Sequence, residues 1–372
     1  MVAFRVGALV LAWVLATILV LCTVLMFVPG PTGELWLLGT VAAEQALVIT
    51  VVAVVLAVLL RRRVMFVVIG AVVAAVSLIP TVASASAAPG VDWREYLAGT
   101  SLTAPKGPDA TEAFATVEGA ELRADLWFPL GDGRDRPAVV WVHGGGLEDA
   151  GRRGETPEWN LLLARTGAVV VDIDYRLTPA GRWRDQAADV GCAVGWVGAN
   201  AARLGVNPNR IALVGASAGG HLALLSAYAP DDLPPSCNVA PVRPSAVVAF
   251  EAATDMAPLH GLDSWRYPDL GGLTEDLERL VGGTPATNPD AYAKASPRTH
   301  VRPDVPPTLI IHGANDQIVP VAQARTLVAM LRDTGARHRY VELPYANHWF
   351  DLMWGSPNTQ HARAALVDFL DL

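Results

Sequence analysis

The chain has 372 residues, 52% of them hydrophobic and 17% charged, with a formal net charge of -8. A mean hydropathy of +0.33 is too high for an ordinary soluble enzyme. The acidic balance, with no basic stripe outside one arginine turn, argues against a nucleic-acid partner.

The apolar excess lies before residue 90. Val6 to Val28, Leu35 to Leu60 and Val64 to Val82 are each long enough for a hydrocarbon core, which takes about 20 residues. Three such runs in succession, separated by short Gly/Pro or Arg-rich turns, favour three transmembrane helices over buried core helices. Arg5 precedes the first run and Arg61-Arg62-Arg63 separates the second from the third, whereas the loop Pro29-Gly-Pro-Thr-Gly-Glu has no basic residue. The positive-inside rule then places the arginine turn in the cytoplasm and the rest of the chain outside, as a multi-pass protein of the cell membrane with an extracytoplasmic domain. Glu44 and Gln45 interrupt the second run; the expectation is that the lipid-buried part starts near Ala46, with Glu44 toward the outer interface and a bilayer thinned to meet a short span. Trp36 reads as an interface anchor. The third run, with Ala83-Ser-Ala-Ser-Ala after it, also has the three parts of a secretory signal peptide. The expected division is a membrane region over 1–83, a linker over 84–112 and a catalytic domain over 113–372, with a small cap at about 251–306.

Within that domain Ala113 to Pro129 predicts a hairpin. Strands near Ala138, Ala168, Ile211, Ala246, Pro307 and Arg339 then alternate with helical patterns, which predicts a largely parallel sheet covered on both faces, with the site at the strands' carboxyl ends. Ala138-Val-Val-Trp-Val-His runs into Gly144, Gly145 and Gly146. Such a run is either a flexible loop or a place where backbone N–H groups turn inward toward an oxyanion. Arg210-Ile-Ala-Leu-Val-Gly-Ala-Ser-Ala-Gly-Gly puts Ser217 inside Gly-x-Ser-x-Gly where a buried strand becomes a helix, the setting of a strained nucleophile with an exposed hydroxyl.

An acid and a base are then expected in that order, each on a loop after a late strand. Pro307-Thr-Leu-Ile-Ile-His-Gly-Ala-Asn-Asp supplies Asp316, which otherwise reads as a helix cap. Arg339-Tyr-Val-Glu-Leu-Pro-Tyr-Ala-Asn-His supplies His348, which otherwise reads as a packed histidine. A serine hydroxyl is a poor nucleophile at neutral pH, so a histidine must take its proton and a carboxylate must hold the imidazole.

These stretches resemble the α/β-hydrolase family, more narrowly its hormone-sensitive-lipase-like and carbohydrate-esterase-like serine esterases. The likeness continues through Asp172-Ile-Asp-Tyr-Arg-Leu-Thr-Pro, Asp189 to Trp196, Leu280-Val-Gly-Gly-Thr-Pro and Ala295-Ser-Pro-Arg-Thr-His-Val. It implies an α/β-hydrolase fold and cleavage of carboxylic esters by Ser217, Asp316 and His348. Gly144, Gly145 and the N–H of Ala218 would form the oxyanion hole. The chain departs from many relatives at Ala216, where an acidic residue is common, and at Leu147, where an aromatic is.

His143 reads as a brace for the glycine loop beside substrate, with Gly146, and His221 as structural. Trp349 is the expected wall of the site; Trp183, Trp265 and Trp354 either line an acyl pocket or fill core. Cys192 and Cys237 can pair in an oxidising compartment, although two isolated cysteines carry no spacing information. No His/Cys/Asp/Glu cluster has metal-ligand spacing, so neither metal nor cofactor is expected. Expected partners are the bilayer and a small-molecule, lipid or glycan ester. The alternatives are an exported peptidase or amidase on the same fold, and a non-catalytic ligand-binding membrane protein.

Overall fold

The computed structural model describes residues 2–88, 90–98, 107–131, 133–145, 157–177, 183–262 and 273–372. Its N-terminal part is helical: α1 (Val2–Leu25), α2 (Gly33–Glu44), α3 (Ala46–Leu59) and α4 (Val64–Ala87). The bundle closes on small residues. Ala12, Ala16 and Leu19 of α1 pack with Ala53 and Leu56 of α3 and with Phe66 and Val73 of α4. A Cβ on Gly70 would lie 2.7 Å from the Ala57 Cβ, so α3 and α4 approach closely because Gly70 lacks one. Thr50 and Ser77 join the same pair by a 2.8 Å hydrogen bond. Leu11, Val55 and Val72 point outward and are exposed, as lipid-facing side chains are.

The helices α1 and α4 are each long and apolar enough to cross a bilayer. The expected second span is not one helix. It is bent by 83° between α2 and α3. The 14 residues of α3 rise about 21 Å at 1.5 Å per residue, short of a core of about 30 Å. The reason lies at the break. Glu44 turns away from the bundle and is buried where Asn358 Nδ2 donates to its Oε1 at 3.0 Å.

Part of the stretch expected as a linker packs against the rest of the chain. Helix α5 (Trp93–Ala98) buries Tyr96, and Glu95 accepts two hydrogen bonds from Arg363 at 2.6 and 2.8 Å. The hairpin follows as β1 (Ala110–Val117) and β2 (Ala120–Trp127). Then come β3 (Arg136–Val142), α6 (Glu158–Arg165), β4 (Val169–Ile173), α7 (Trp183–Ala199), α8 (Ala201–Leu204), β5 (Val206–Ala216), α9 (Ala218–Tyr228) and β6 (Ala246–Phe250). The chain ends with α10 (Leu273–Val281), α11 (Pro289–Lys294), β7 (Thr308–Gly313), α12 (Ala322–Thr334), β8 (His338–Leu343) and α13 (Pro357–Leu370).

The eight strands form one sheet in the order β1-β2-β4-β3-β5-β6-β7-β8. Pairing is antiparallel for β1 with β2 and for β2 with β4, and parallel from β4 to β8. Strand alternation separates two cores. Val140, Val142 and Leu213 face a layer with α7, α9 and α12, while Val139, Trp141 and Val214 face α6 and α13. The expected cap region carries α10 and α11, whose Leu277, Leu280, Val281 and Tyr292 join the first of these layers.

Candidate active site

Backbone strain at one residue organises the site. Ser217 sits between β5 and α9 at φ 52° and ψ -118°, a conformation that costs a non-glycine residue on the order of 1–3 kcal/mol. The surroundings hold it there. Ser217 N–H donates to Phe250 O at 2.8 Å, and its carbonyl accepts from His221 N–H at 3.0 Å. A Cβ on Gly219 would lie 2.0 Å from Val142 O and 2.4 Å from His143 O. The elbow therefore closes directly on the end of β3, where the glycine run begins.

On that run, Gly145 has φ +91°. His143 is buried, stacks on Tyr175 with ring centroids 4.4 Å apart, and has its Nδ1 2.9 Å from Gly144 O. Tyr175 O–H donates to His143 O at 3.0 Å. His143 thus braces the loop's backbone. Ala218 is the first residue of α9, so its N–H has no intrahelical acceptor and lies at the positive end of the helix. Gly146 and Leu147 lie outside the described residues, as does Trp265.

The loops expected to carry an acid and a base are built as a pair. Asp316 follows β7, His348 follows β8, and His348 Nδ1 lies 2.8 Å from Asp316 Oδ2 with both residues buried. Asp316 Oδ1 accepts from the N–H groups of Ile318 and Val319 at 2.9 and 2.8 Å. Its Oδ2 also lies 3.3 Å from His312 Nε2. Burial by itself would raise this carboxyl, but the charge of His348 and the hydrogen bonds from His312 and His348 outweigh it and hold Asp316 below the ordinary carboxylate range. The Nδ1–H of His348 is thereby committed to Asp316, and Nε2 is left as the basic nitrogen.

Sequence reasoning missed two residues here. The Asn347 side chain accepts from Gln317 N–H at 2.9 Å and from His348 N–H at 2.8 Å, tying the acid and base loops together. Glu251, the first residue after β6, is buried at φ 49°. Its Oε2 accepts Trp349 N–H at 3.0 Å and lies 3.6 Å from His348 Nδ1. The available signal was position: an acidic residue directly follows a buried strand at the carboxyl edge of the sheet. Glu251, Asp316 and His348 present ligand atoms within 4.8 Å of one another. Spacing along the chain did not reveal this cluster. A cation there would have to displace the hydrogen bonds that Asp316 and Glu251 already accept.

Other expectations fall differently. His221 is buried with its Nδ1 3.0 Å from Ala253 O, and burial lowers its pKa to about 4, so it stays neutral and structural. Trp183 is core, and Trp354 packs on Trp159 at 5.0 Å. Trp36, expected as an interface anchor, faces protein. It is buried, with its ring edge-on to Trp349 at 5.5 Å. Trp349 is itself 36% exposed and lies 6.4 Å from the His348 ring.

The profile of the BD-FAE family matches residues 124–331, more than half of the chain. Among curated proteins, the probable carboxylic ester hydrolase LipM of Mycobacterium tuberculosis is 37% identical over 63% of this chain and 54% of its own length. Esterase LipQ of the same organism is 32% identical over 74% of this chain and 63% of its own. The chain thus spans between about half and two thirds of these relatives' length. An esterase from the planctomycete Thermogutta terrifontis, solved with propionate bound, is similar with a TM-score of 0.56 at 27% identity, over 70% of this chain and 92% of its own. The same esterase phosphonylated by cyclosarin gives 0.56 at 26% identity, over 72% and 92%. These solved structures and the mostly parallel eight-stranded sheet fit the α/β-hydrolase fold.

Proposed function

Because the chain belongs to the BD-FAE family, we propose that it is a membrane-anchored serine hydrolase that cleaves carboxylic esters through an acyl-serine intermediate. The observation that carries this reading is the buried hydrogen bond between His348 Nδ1 and Asp316 Oδ2, on loops at the same carboxyl edge of the sheet as the strained Ser217 elbow. His348 Nε2 takes the Ser217 proton as Oγ attacks the ester carbonyl. Asp316 stabilises the imidazolium that forms. The N–H groups of Gly144, Gly145 and Ala218 receive the oxyanion, each donor contributing about 3 kcal/mol to the barrier reduction. The imidazolium then protonates the departing alcohol. Water, deprotonated by the same nitrogen, releases the acid.

Two observations and one general rule support an extracytoplasmic catalytic half. Its contacts with the bundle are made by Phe27, Trp36, Glu44 and Ser84, at the end of the helices opposite Arg61-Arg62-Arg63. The positive-inside rule assigns the arginine turn to the cytoplasm. Cys192 and Cys237 are joined in a disulfide, a bond that persists in oxidising compartments.

One experiment tests chemistry and orientation together. A fluorophosphonate probe that does not cross bilayers is applied to intact and to lysed cells expressing the chain or Ser217→Ala. Labelling of the wild type in both samples, absent from the variant, is expected. Labelling in the lysate alone would invert the orientation, and no labelling in either would remove the serine-hydrolase reading.

A further inference from the structure

An anchor for an enzyme of water-borne esters needs only to be a tether, yet here the bundle is packed onto the loops that carry the acid and the base. Asn315, next to Asp316, donates from Nδ2 to Met26 O at 3.3 Å. Tyr345 meets Phe27 edge to face at 5.6 Å, and Pro344 O accepts from Ser84 Oγ at 3.2 Å. Trp349, next to His348, meets Trp36 of α2. The bend of 83° turns α2 off the axis of α3, and Ala42 of α2 packs with Cys22 and Met26 at the level where α1 ends on the catalytic side. That level is the headgroup layer if the bundle spans the membrane. His348 then lies two aromatic contacts from it, 6.4 Å to the Trp349 ring and 5.5 Å onward to Trp36. Around this junction Phe27, Leu37, Trp349 and Leu352 remain exposed, an apolar rim between membrane and site.

We infer that the substrate is a long-chain acyl ester resident in the leaflet beside the catalytic half, and that α2 with Trp349 forms the entrance by which its ester group reaches Ser217 while the acyl tail stays largely in lipid. The inference rests on the serine-esterase and membrane-insertion readings above. Its physical basis is that each methylene lifted into water costs hydrophobic free energy, so a site at the interface processes long chains that a site far from the bilayer would have to extract whole.

The test uses the full chain reconstituted in phosphatidylcholine vesicles. p-Nitrophenyl palmitate is placed either in the same vesicles or in separate ones, with p-nitrophenyl butyrate in the water as the soluble probe. The expected result is palmitate turnover at least tenfold faster from the same bilayer than from separate vesicles, with butyrate turned over in either arrangement. Leu37→Asp, which puts a charge on the exposed side of α2, is expected to lower the ratio of same-vesicle palmitate rate to butyrate rate about tenfold. Equal palmitate rates from the two arrangements, or butyrate turnover with none of palmitate, would overturn the inference and leave the esterase reading standing. Loss of butyrate turnover as well would remove the esterase reading on which it depends.

Discussion

Glu251 places a second carboxylate against His348, the proposed base. Asp316 takes the 2.8 Å contact with His348 Nδ1, while Glu251 stands at 3.6 Å and holds the N–H of Trp349. Its negative charge stabilises an imidazolium at close range, where water is excluded and screening is weak. Glu251→Gln keeps the shape and an acceptor for Trp349 N–H but removes the charge. The expected outcome is a fall of about tenfold in kcat/KM, or about 1.4 kcal/mol, carried by kcat. An unchanged kcat/KM would assign Glu251 to holding the N–H of Trp349 alone. Glycine at 219 has a different necessity, since any side chain there would overlap the backbone of β3.

At the scale of elements, α9, which follows Ser217, is fastened from outside the site. The disulfide between Cys192 on α7 and Cys237 after α9 closes a loop with a sequence separation of 45. A cross-link of that span removes denatured-state entropy worth about 4 kcal/mol in the chain-entropy estimate. Replacing both cysteines by alanine is expected to lower the unfolding free energy by about 2–4 kcal/mol while Ser217 still reacts with fluorophosphonate at 25 °C. Denaturant unfolding with and without reductant measures it, and an unchanged midpoint would assign the stability of this layer to packing alone. On the opposite side, α5 is held to α13 by the Glu95–Arg363 pair and by reciprocal hydrogen bonds between Asp92 and Gln360. The chain leaving the bundle is thereby fixed to the catalytic half.

The whole molecule is expected to be acid-sensitive. Burial lowers the His221 pKa from 6.5 to about 4, so the unfolded chain binds a proton there that the folded chain rejects. The stability from this neutral histidine is complete above pH 6.5 and is lost as pH falls from 6.5 toward 4, up to about 3 kcal/mol in all. Asp316, held below the ordinary carboxylate range, adds a loss of the same sign at still lower pH. The thermal midpoint of the full chain in detergent should therefore decline across pH 6.5 to 4. His221→Gln should flatten that decline, and an equally steep variant would place the acid sensitivity elsewhere.

Sequence alone determined the features whose cause is local. Gly-x-Ser-x-Gly at a strand end predicts a residue at positive φ, and Ser217 has it. Short continuous apolar runs predict the strands of a sheet covered on both faces, and the order of the late strands predicts which loops offer an acid and a base. Length and hydropathy predict three apolar helices, of which α1 and α4 are long and apolar enough to cross a membrane. What only the tertiary structure decided depends on partners far away along the chain. The second apolar run breaks at Gln45 because Glu44 finds Asn358, 314 residues on. Trp36 is buried because it meets Trp349, and Glu251 matters because β6 and β8 bring it to His348, 97 positions later. Hydropathy and spacing weigh each residue with its neighbours. The free energy of burying a carboxylate or an indole is set by the groups that fold against it, and those are specified only when the whole sheet and bundle have assembled.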